Sequence, residues 1–488
     1  MTMAMSTQSK DQLAFEGPLC VDLDGTLIKT DMLYEAVVLL VRQNPLNLLL
    51  LIFWLFKGKA FLKARVAEKV APSADKLPYN QAVLDWLTEQ KECGRSLILA
   101  TASHKSYAKA VAKHLGLFES VEASCETTNL SSSHKADRLI ENFGEGGFDY
   151  VGNSKDDVKV WDKARTAFVV GKERAAKRYL ENKNAFEILE ATPRKPRWKV
   201  WLKAIRIHQW LKNSLLFVPA ILASRYFEFS TIVSLVIAFV SFGLCASSVY
   251  LLNDMIDVEV DRRHATKKNR PLASGEITTL QAVCVSLAML VAGLALSLVL
   301  PVLFTLVLVL YFMATCAYSF VLKRLLLLDV LTLAGLFTIR VIAGATAVQG
   351  EVSTWLLAFC VFFFLSLALV KRFVEITIAE AEVSRAKTGR GYQTVDLETL
   401  GQGGMASGFA AVVVLALFID SPEVAETYKH PEMIWLVCPL VLYIVFRTWI
   451  LARRREMHDD PVVFLITDWR SQIMIVAGAI IMLTSQLL

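Results

Sequence analysis

The sequence predicts two parts of different fold class: an α/β domain with a parallel sheet over residues 18–191, and an all-α bundle of nine membrane-spanning helices over residues 205–488. Hydrophobic residues make up 55% of the chain, which is more than a soluble protein of this length contains. This apolarity is uneven, because short strand and helix patterns alternate in the first part whereas long apolar runs recur in the second. Lysines and arginines also gather in alternate loops of the second part.

The first part begins with a polar segment, residues 1–17, which is predicted to be disordered and contains no signal peptide. Five short apolar strands follow, with helical stretches between them. They are Leu19–Leu23, Ser96–Thr101, Asp149–Gly152, Ala167–Val170 and Ala185–Leu189. Such alternation favours a parallel sheet, in which active residues are expected at the carboxyl ends of the strands.

Residues 31–78 interrupt this alternation and are predicted to form a helical cap over the strand ends. Within the cap, the segment from Leu46 to Phe56 contains one polar residue, Asn47, and is followed by lysines. Because this segment is too short to span a bilayer, it is predicted to lie on the lipid surface. A helix buried within the cap is the alternative.

Side chains suited to phosphate chemistry follow the predicted strands. Asp22 and Asp24 come after the first strand, so one carboxylate can attack phosphorus while the other protonates the leaving oxygen. Thr101 follows the second strand, and its hydroxyl can hold a phosphoryl oxygen, while Lys135 can neutralise the phosphate. The turn at residues 152–157, Gly-Asn-Ser-Lys-Asp-Asp, can complete a Mg²⁺ site.

These four pieces, in this order, resemble the haloacid dehalogenase superfamily of phosphatases over about residues 17–190. The resemblance implies that Asp22 is the nucleophile, that Asp24 is the acid/base, and that Thr101 and Lys135 bind phosphate. The implied metal ligands are Asp22, Asp24, Asn153 and Asp157. The family usually has Asp where this chain has Asn153, which can still ligate Mg²⁺ but brings no charge. A degenerate domain without catalysis is the alternative.

Nine apolar runs near membrane-spanning length are predicted in the second part. They cover about residues 207–223, 231–252, 278–299, 301–321, 327–348, 353–370, 404–420, 432–451 and 470–488. A basic linker at 192–204 precedes them, and Trp198 and Trp201 within it suit a helix at the membrane interface. The net charge of +6 does not by itself indicate a nucleic-acid partner, and none is predicted.

The loops after the second, fourth, sixth and eighth runs carry most of the lysines and arginines. By the positive-inside rule these loops are cytoplasmic, and so is the first part of the chain, whereas the C-terminus lies outside. The sequence therefore predicts a multi-pass protein of the cell inner membrane, with its N-terminal domain in the cytoplasm.

A group of acidic residues follows the second apolar run. It consists of Asn253, Asp254, Asp257 and Asp261, which on a helix fall within an arc of about 100°. Their oxygens are hard ligands of the kind that Mg²⁺ binds together with substrate phosphates. Lys267 and Arg270 follow, so a diphosphate substrate handled at the membrane surface is indicated. A solvated, charged helix end is the alternative.

This acidic segment and its basic sequel resemble the first aspartate-rich motif of the UbiA superfamily of intramembrane prenyltransferases, whose fold agrees with nine spans. Most members carry a second aspartate-rich motif after the sixth span. This chain departs from them, because it has Lys371-Arg372-Phe373-Val374-Glu375 there, with no Asp-x-x-x-Asp before Tyr392. One acidic group fits one diphosphate, and the extra cations fit an additional phosphate group.

Four further features resemble the polyprenyl-phosphate phosphoribosyltransferase branch of that superfamily, over about residues 200–488. They are Arg206-x-x-Gln209-Trp210-x-Lys212-Asn213, Tyr318-Ser319-x-x-Leu322-Lys323, Asp329 with Arg340-x-x-Ala343-Gly344, and Lys371-Arg372-x-x-Glu375. The resemblance implies that 5-phosphoribose is transferred from 5-phosphoribosyl diphosphate to polyprenyl phosphate.

The resemblance also implies roles for individual residues. Asp257 and Asp261 are the implied catalytic acids, and together with Asn253 and Asp254 they form the implied Mg²⁺ site. The implied ligands of the diphosphate or the 5-phosphate are Lys267, Arg270 and Lys323. The implied ligands of the lipid phosphate are Arg340, Lys371 and Arg372. Lys212, Tyr318, Glu375 and Tyr392 complete the implied substrate-binding set.

Other charged residues of the second part carry weaker expectations. Charges in apolar spans are usually functional, although Arg206 and Arg340 could instead be interfacial anchors. Snorkelling is the expectation for Arg447. Asp460 and Asp468, between the last two runs, could close the cytoplasmic pocket or belong to a plain turn.

The two parts together predict a coupled function. The transfer product keeps a 5-phosphate, which a phosphatase domain on the same chain could remove to give polyprenylphosphoryl ribose. The predicted partners are polyprenyl phosphate, 5-phosphoribosyl diphosphate, Mg²⁺ and the lipid bilayer, with a homo-oligomer left open. The alternative is a prenyltransferase that moves a prenyl group from its diphosphate to an aromatic acceptor, with the N-terminal domain a regulatory binding module.

Overall fold

A computed structural model describes residues 17–125, 128–171, 179, 185–188, 196–223, 228–264, 266–351, 353–381, 391–422, 424, 428–457 and 460–487. Nearly all of the predicted disordered N-terminus lies outside these residues, as do linker residues 192–195. The chain divides into two compact units. The first unit comprises Met1–Ala204 and Leu251–Cys284, and the second comprises Ile205–Tyr250 and Val285–Leu488.

The first unit contains a six-stranded parallel sheet with the strand order β3-β2-β1-β4-β5-β6. The strands are β1 (Leu19–Val21), β2 (Leu97–His104), β3 (Ser120–Ser124), β4 (Asp149–Gly152), β5 (Ala167–Val170) and β6 (Ala185–Ile188). The predicted parallel sheet and five of its strands are confirmed. Strand β3 was not predicted, because its serines and glutamate do not form the apolar run of a buried strand.

Helices lie in each connection from β1 to β5. They are α1 (Met32–Gln43), α2 (Asn47–Phe56), α3 (Lys59–Lys69), α4 (Gln81–Glu92), α5 (Lys105–Leu115), α6 (Ser133–Phe143), α7 (Val158–Trp161) and, after the sheet, α8 (Arg197–Ala204). The first three occupy the region predicted as a helical cap. Asp31 starts α1, because its carboxylate accepts hydrogen bonds from the backbone N–H of Leu33 and Tyr34.

Helix α2 is apolar on nearly all sides but only partly covered. Leu51 and Trp54 are buried in the core that the cap shares with the sheet. The exposed side chains include Leu49, which is 67% exposed, and Phe56, which is 87% exposed. This exposure excludes a helix buried within the cap, and contact with lipid stays a prediction.

The secondary structure described for the remainder of the chain is helical. Its helices are α9 (Val218–Leu222), α10 (Phe229–Ile256), α11 (Val258–Arg263), α12 (Thr279–Ser297), α13 (Val302–Phe320), α14 (Leu328–Ala347), α15 (Thr354–Ala381), α16 (Leu397–Ile419), α17 (Val437–Arg453), α18 (Pro461–Thr467) and α19 (Trp469–Leu487).

Among the described residues, seven helical segments are long and apolar enough to cross a membrane. The chain bends by 75° between α18 and α19, and these two helices give an eighth span if they are counted as one. The predicted membrane bundle is thus confirmed, but only eight of its nine predicted runs have such a counterpart. The run predicted at 207–223 instead forms a 3₁₀ helix, Ile207–Phe217, followed by α9. Its polar residues Lys212 and Asn213 are buried against polar partners rather than exposed to lipid.

Small residues allow close packing within the second unit. A Cβ atom on Gly344 of α14 would lie 2.0 Å from the carbonyl oxygen of Leu216, so no larger residue fits without a shift of the backbone. Small residues at helix contacts are typical of membrane bundles, where backbones approach closely. This contact presses α14 against the 3₁₀ helix that carries Lys212 and Asn213.

Candidate functional site

The two carboxylates after β1 have different partners. Asp22 accepts a hydrogen bond from Lys135 Nζ at 2.8 Å. Asp24 accepts one from the backbone N–H of Met32 at 2.8 Å and one from Ser103 Oγ at 2.6 Å. Asp22 is therefore tied to a cation, as suits an ionised nucleophile, whereas Asp24 is held by neutral donors.

Lys135 is the buried cation of this site. Besides Asp22, its ammonium group donates to Tyr150 Oη at 2.8 Å and lies 3.6 Å from Asp157 Oδ1. Thr101 is fully buried in β2, and its hydroxyl accepts a hydrogen bond from the backbone N–H of Ser103 at 3.0 Å. The structure thus brings Asp22, Lys135 and Asp157 together, as the sequence predicts.

The turn after β4 is organised by Asp157. Its carboxylate accepts hydrogen bonds from the backbone N–H groups of Asn153 and Ser154, from Ser154 Oγ and from Tyr150 Oη, at 2.8–3.0 Å. Asn153 Oδ1 in turn accepts a hydrogen bond from Thr26 Oγ1 at 3.2 Å. Asp157 therefore fixes the position of Asn153 relative to β1, and its role as a metal ligand stays a prediction.

Burial perturbs both acids of the site. Desolvation raises the pKa of Asp22, with Lys135 opposing and Asp157 adding to the rise. Desolvation also raises the pKa of Asp24, and the nearby charges of Asp31 and Asp22 add to it. An acid that keeps its proton near neutral pH can serve as a general acid. The excess of buried carboxylates over cations also fits a bound divalent cation.

Two residues of this site were missed by sequence reasoning. Lys63 of α3 reaches down to the strand ends, where its Nζ donates to the carbonyl of Ala102 at 2.8 Å and to Asn129 Oδ1 at 3.2 Å. Burial lowers the pKa of Lys63. Ser103 could have been found, since alternation along β2 puts it on the same face as Thr101. No sequence signal separates Lys63 from the other lysines of the cap.

The acidic segment crosses the junction between α10 and α11. Backbone hydrogen bonds from Asp257 to Asn253 and from Asp261 to Asp257, each 2.9 Å, continue the helical pattern across that junction. The carboxylates of Asp254 and Asp261, both buried, converge on Arg270 Nη1 at 3.1 and 2.6 Å. The predicted clustering of these acids is thus present for Asp254 and Asp261.

The fit of Mg²⁺ to this segment rests on its oxygen atoms. Asn253 Oδ1 is buried and accepts no hydrogen bond, and two carboxylates lie within reach of one nitrogen. These are the hard oxygen ligands that Mg²⁺ prefers. Burial raises the pKa of Asp261, although the Arg270 guanidinium opposes this. Across the described residues, however, no group of three Asp, Glu, His or Cys side chains is gathered for a metal, and Arg270 holds the place between Asp254 and Asp261.

In the second unit, Asp329 of α14 is the centre of a buried polar network. It is paired with Arg372, which also binds Glu375 and donates to Tyr318 Oη at 3.0 Å. Tyr392 Oη donates to the other oxygen of Asp329 at 2.5 Å. Four predicted substrate-binding residues therefore meet around Asp329, and Arg372 already has two carboxylate partners.

A second group in this unit contains two lysines and one carboxylate. Lys212 donates to Asp460 Oδ2, and Lys371 Nζ lies 4.0 Å from the same oxygen. Asp460 also caps α18 through the backbone N–H of Val463. Asp460 is thus a helix cap and an ion-pair partner, which neither expectation for it anticipated. One carboxylate between two lysines leaves this group with a net positive charge.

Arg340 adds a third cation beside this group. Its guanidinium donates to Asn213 Oδ1 at 3.3 Å and to Tyr311 Oη at 3.0 Å, and it forms no ion pair within the described part of the chain. The ring of Phe337 lies 5.4 Å from the guanidinium and 5.6 Å from Lys212 Nζ. The Asn213 amide nitrogen is buried without a hydrogen-bond partner. We call Lys212, Asn213, Arg340 and Lys371 the cationic cluster.

The other predicted cations have simpler surroundings. Lys267 and Lys323 lie partly exposed on short 3₁₀ turns, Lys267–Asn269 and Leu322–Arg324. Arg447 forms a two-bond ion pair with Asp468 at 2.6 and 3.0 Å, and snorkelling of its side chain stays a prediction. Three cations of the basic loop after the sixth run, Arg385, Lys387 and Arg390, lie outside the described residues.

Known proteins resemble this chain in sequence, and one family profile covers most of its second part. The profile of the UbiA prenyltransferase family matches residues 214–469, slightly more than half of the sequence. The uncharacterised protein y4nM of Sinorhizobium fredii is 38% identical over 471 residues, which cover 95% of this chain and 90% of that protein. The nodulation protein NoeC of Azorhizobium caulinodans is 32% identical over 280 residues, or 57% of this chain and 91% of that protein.

A third relative has a named activity. Decaprenyl-phosphate phosphoribosyltransferase of Mycolicibacterium smegmatis is 37% identical over 183 residues, which cover 37% of this chain and 58% of that enzyme. With the family match and the apolar helices described above, the chain belongs to the UbiA prenyltransferase family as a multi-pass membrane protein.

Proposed function

We propose that the membrane part transfers 5-phosphoribose from 5-phosphoribosyl diphosphate to a polyprenyl phosphate, and that the N-terminal domain then removes the 5-phosphate. The observation that carries this proposal is the cationic cluster, in which Lys212 and Lys371 share one carboxylate, Asp460, and Arg340 forms no ion pair within the described residues. The resulting excess of positive charge, buried at Lys212 and Arg340, suits a phosphate group held at the membrane. The named activity of the mycobacterial relative supports the same substrate class.

In the transfer step, an oxygen of the lipid phosphate attacks the anomeric carbon of the ribose, and the bond from that carbon to the diphosphate breaks. Lys212, Arg340 and Lys371 would hold the lipid phosphate. Arg372, which already has two carboxylate partners, would chiefly position Tyr318 and Glu375 beside it. The ribosyl centre becomes oxocarbenium-like, so positioning and charge stabilisation can supply most of the catalysis.

The acidic segment would serve the leaving group. Mg²⁺ would be held by Asn253, Asp254, Asp257 and Asp261, and it would neutralise the diphosphate as that group departs. Lys267, Arg270 and Lys323 would add positive charge to the diphosphate or to the 5-phosphate. Because Arg270 now binds two of the acids, it would exchange them for substrate oxygens.

In the second step, Asp22 attacks the phosphorus of the 5-phosphate and forms an aspartyl-phosphate, while Asp24 protonates the departing ribose 5-oxygen. Water then hydrolyses the aspartyl-phosphate and frees Asp22. Thr101 and Lys135 would hold the phosphoryl oxygens. Mg²⁺ on Asp22, Asp24, Asn153 and Asp157 would neutralise the phosphate charge. The product is polyprenylphosphoryl ribose.

Helix α2 would bring this second step to the lipid. Its exposed apolar side chains suit the boundary between headgroups and acyl chains. Between Glu35 and Glu68 the chain contains no acidic residue but five basic ones, which suits an anionic membrane surface. The N-terminal domain would then rest on the cytoplasmic face of the inner membrane, where a lipid-linked phosphate ester is within reach of Lys63 and Asp22.

The decisive experiment gives the purified chain, in phosphatidylglycerol-containing nanodiscs, ribose-labelled 5-phosphoribosyl diphosphate and polyprenyl phosphate. We expect label to appear in the lipid fraction only when Mg²⁺ is present. Absence of transfer, together with consumption of a prenyl diphosphate and an aromatic acid, would replace this proposal by a conventional prenyltransferase activity.

The phosphatase step has its own test. The substitution Asp22→Asn keeps the shape of the side chain but removes the nucleophilic charge. We expect the lipid product of this variant to be heavier by one phosphate group than the wild-type product when both are measured by mass spectrometry. Identical lipid products would show that the N-terminal domain does not act on the transferase product.

A further inference from the structure

Arg262, which directly follows Asp261, is paired with Glu35 of α1, although 227 residues separate them. Its Nη2 donates to one carboxylate oxygen of Glu35 at 2.7 Å, and its Nη1 donates to the other at 3.0 Å. Both side chains are buried, with 8% and 4% exposed. A two-bond pair between arginine and carboxylate fixes orientation as well as distance.

The Glu35 end of this pair belongs to the helix that begins at the phosphatase-like site. The backbone N–H of Met32, the first residue of α1, donates to Asp24 Oδ1. Glu35 lies in the first turn of the same helix. A single helical turn therefore holds Asp24 at its start and Arg262 less than one turn later.

The Arg262 end organises the acidic segment. Besides binding Glu35, the guanidinium donates from Nε to the carbonyl of Ala273 at 3.1 Å. Ala273 lies in the loop that carries Arg270, and Arg270 binds the carboxylate of Asp261. One guanidinium therefore joins α1, α11 and the loop that supplies the cation facing the acids.

Backbone packing supports the same arrangement. Gly275, two residues beyond Ala273, has a φ of 74°, and a Cβ atom there would lie 2.7 Å from Cβ of Lys29. Arg42 and Glu259 form a second, more exposed pair at 3.7 Å. The loop after α11 is thus fitted closely against the N-terminal domain, and Glu35 is the buried charge at this contact.

We propose that Glu35 is a positioning residue of the transferase: through Arg262 it sets the geometry of Asp261 and of the loop that carries Arg270. The N-terminal domain would then contribute to diphosphate and metal binding as well as to phosphate removal. This inference rests on the proposed function, but metal binding tests it without reference to any substrate.

The test uses the full chain and the substitution Glu35→Gln, which keeps the size of the side chain and removes its charge. Mn²⁺ affinity is measured by electron paramagnetic resonance in chains that also carry Asp22→Asn and Asp24→Asn, so that the other proposed metal site does not contribute. Phosphoribosyl transfer is measured as a function of Mg²⁺ concentration. We expect Mn²⁺ binding to weaken, and the Mg²⁺ concentration for half-maximal transfer to rise, by roughly 10–100-fold, as is typical when a residue behind metal ligands is removed.

Three further variants separate positioning from stability. Glu68→Gln, which removes an exposed partner of Arg65 on α3, should leave both measurements unchanged. The exchange Glu35→Arg with Arg262→Glu should restore part of the Mn²⁺ affinity that each single change loses. Arg262→Lys keeps the charge but not the two-bond geometry, so it should give an intermediate loss and serves if Glu35→Gln does not fold.

Wild-type Mn²⁺ affinity and Mg²⁺ dependence in folded Glu35→Gln or Arg262→Lys protein would overturn the inference. So would a wild-type chain that binds no Mn²⁺. If the wild type binds Mn²⁺ and these variants weaken binding, but no phosphoribose is transferred, the positioning role stands and the proposed substrate is wrong.

Discussion

At the scale of single residues, Asp329 is a carboxylate in the interior of the membrane part. It is fully buried in α14, and its charge is balanced by Arg372 and a hydrogen bond from Tyr392. A buried ion pair contributes little net stability while it is intact, but removing one partner leaves an uncompensated buried charge. The network is therefore expected to be intolerant of change at its centre.

We predict that Asp329→Asn lowers the free energy of unfolding by on the order of 3 kcal/mol, because Arg372 loses its fully buried partner. Glu375→Gln is the matched control, since it removes the partly exposed carboxylate of the same arginine and should cost clearly less. Thermal unfolding of both variants in detergent measures the difference. Equal losses of thermal stability would show that Asp329 is not the central charge.

A change at Asp257 tests the acidic segment through activity, whereas its effect on stability is expected to be small. It is partly exposed at the junction of α10 and α11, so Asp257→Ala should change stability by no more than about 0.5 kcal/mol. We expect the same change to abolish the transfer of labelled phosphoribose to lipid, because it removes a proposed metal ligand. Near-normal transfer in the variant would remove Asp257 from the metal site.

Sequence reasoning reached most of these residues but not their partners. The pairs Glu35–Arg262 and Lys212–Asp460 join residues 227 and 248 positions apart. Periodicity and spacing report only on neighbours along one element, so they carry no information about such pairs. Asp22 and Asp24 could be predicted because they follow a strand, and the carboxyl ends of parallel strands meet at one edge. Lys135 lies on α6, and its role was implied by the family resemblance.

At the scale of elements, the approach of α14 to the 3₁₀ helix at residues 207–217 depends on Gly344. We predict that Gly344→Ala destabilises the second unit, because the added methyl group would lie 2.0 Å from a carbonyl oxygen. Gly335→Ala in the same helix is the control, since nothing lies within 4 Å of the position its Cβ would take. That change should be neutral or stabilising by up to about 1 kcal/mol. Unfolding curves of the two variants should diverge, and similar curves would contradict this account of the contact.

Helix α2 gives a prediction of another kind. Replacing Phe53 and Phe56 by Ser should leave thermal stability nearly unchanged, because both side chains are already exposed. The hydrolysis of a lipid-linked phosphate ester in vesicles should slow, whereas that of a water-soluble ester should not. Leu51→Ala, at a buried position of the same helix, should instead cost about 2–5 kcal/mol. If the hydrolysis rates of both esters change equally, α2 has no role in bringing the lipid-linked ester to the site.

The elements themselves were predictable where one physical signal dominates. Long apolar runs identified the spanning helices, because a bilayer demands about 20 apolar residues. The same signal failed at residues 207–223, where Lys212 and Asn213 find buried partners and the chain forms a 3₁₀ helix instead. It also gave no indication of β3, which lies at the edge of the sheet and begins at an exposed residue, Ser120.

At the scale of the whole molecule, the two proposed reactions on one chain should favour a product that stays with its enzyme. We predict that Asp22→Asn and Asp257→Ala chains complement each other when both are placed in one vesicle. The same two variants in separate nanodiscs, one chain per disc, should yield only the lipid that keeps its 5-phosphate, because the lipid cannot leave its disc. Wild-type chains should complete both steps in either setting. Complete conversion by variants in separate discs would show that the intermediate is exchanged freely.

The Glu35–Arg262 pair has a consequence for how such a protein can be inherited. Within one chain, a neutral residue at either position would leave the other charge buried without its counter-charge. A change at one position is therefore expected to persist only where the other position changes with it. If two genes encoded the N-terminal domain and the segment that carries Arg262, the pair would form only when the two products bind each other, so the two genes should be inherited together.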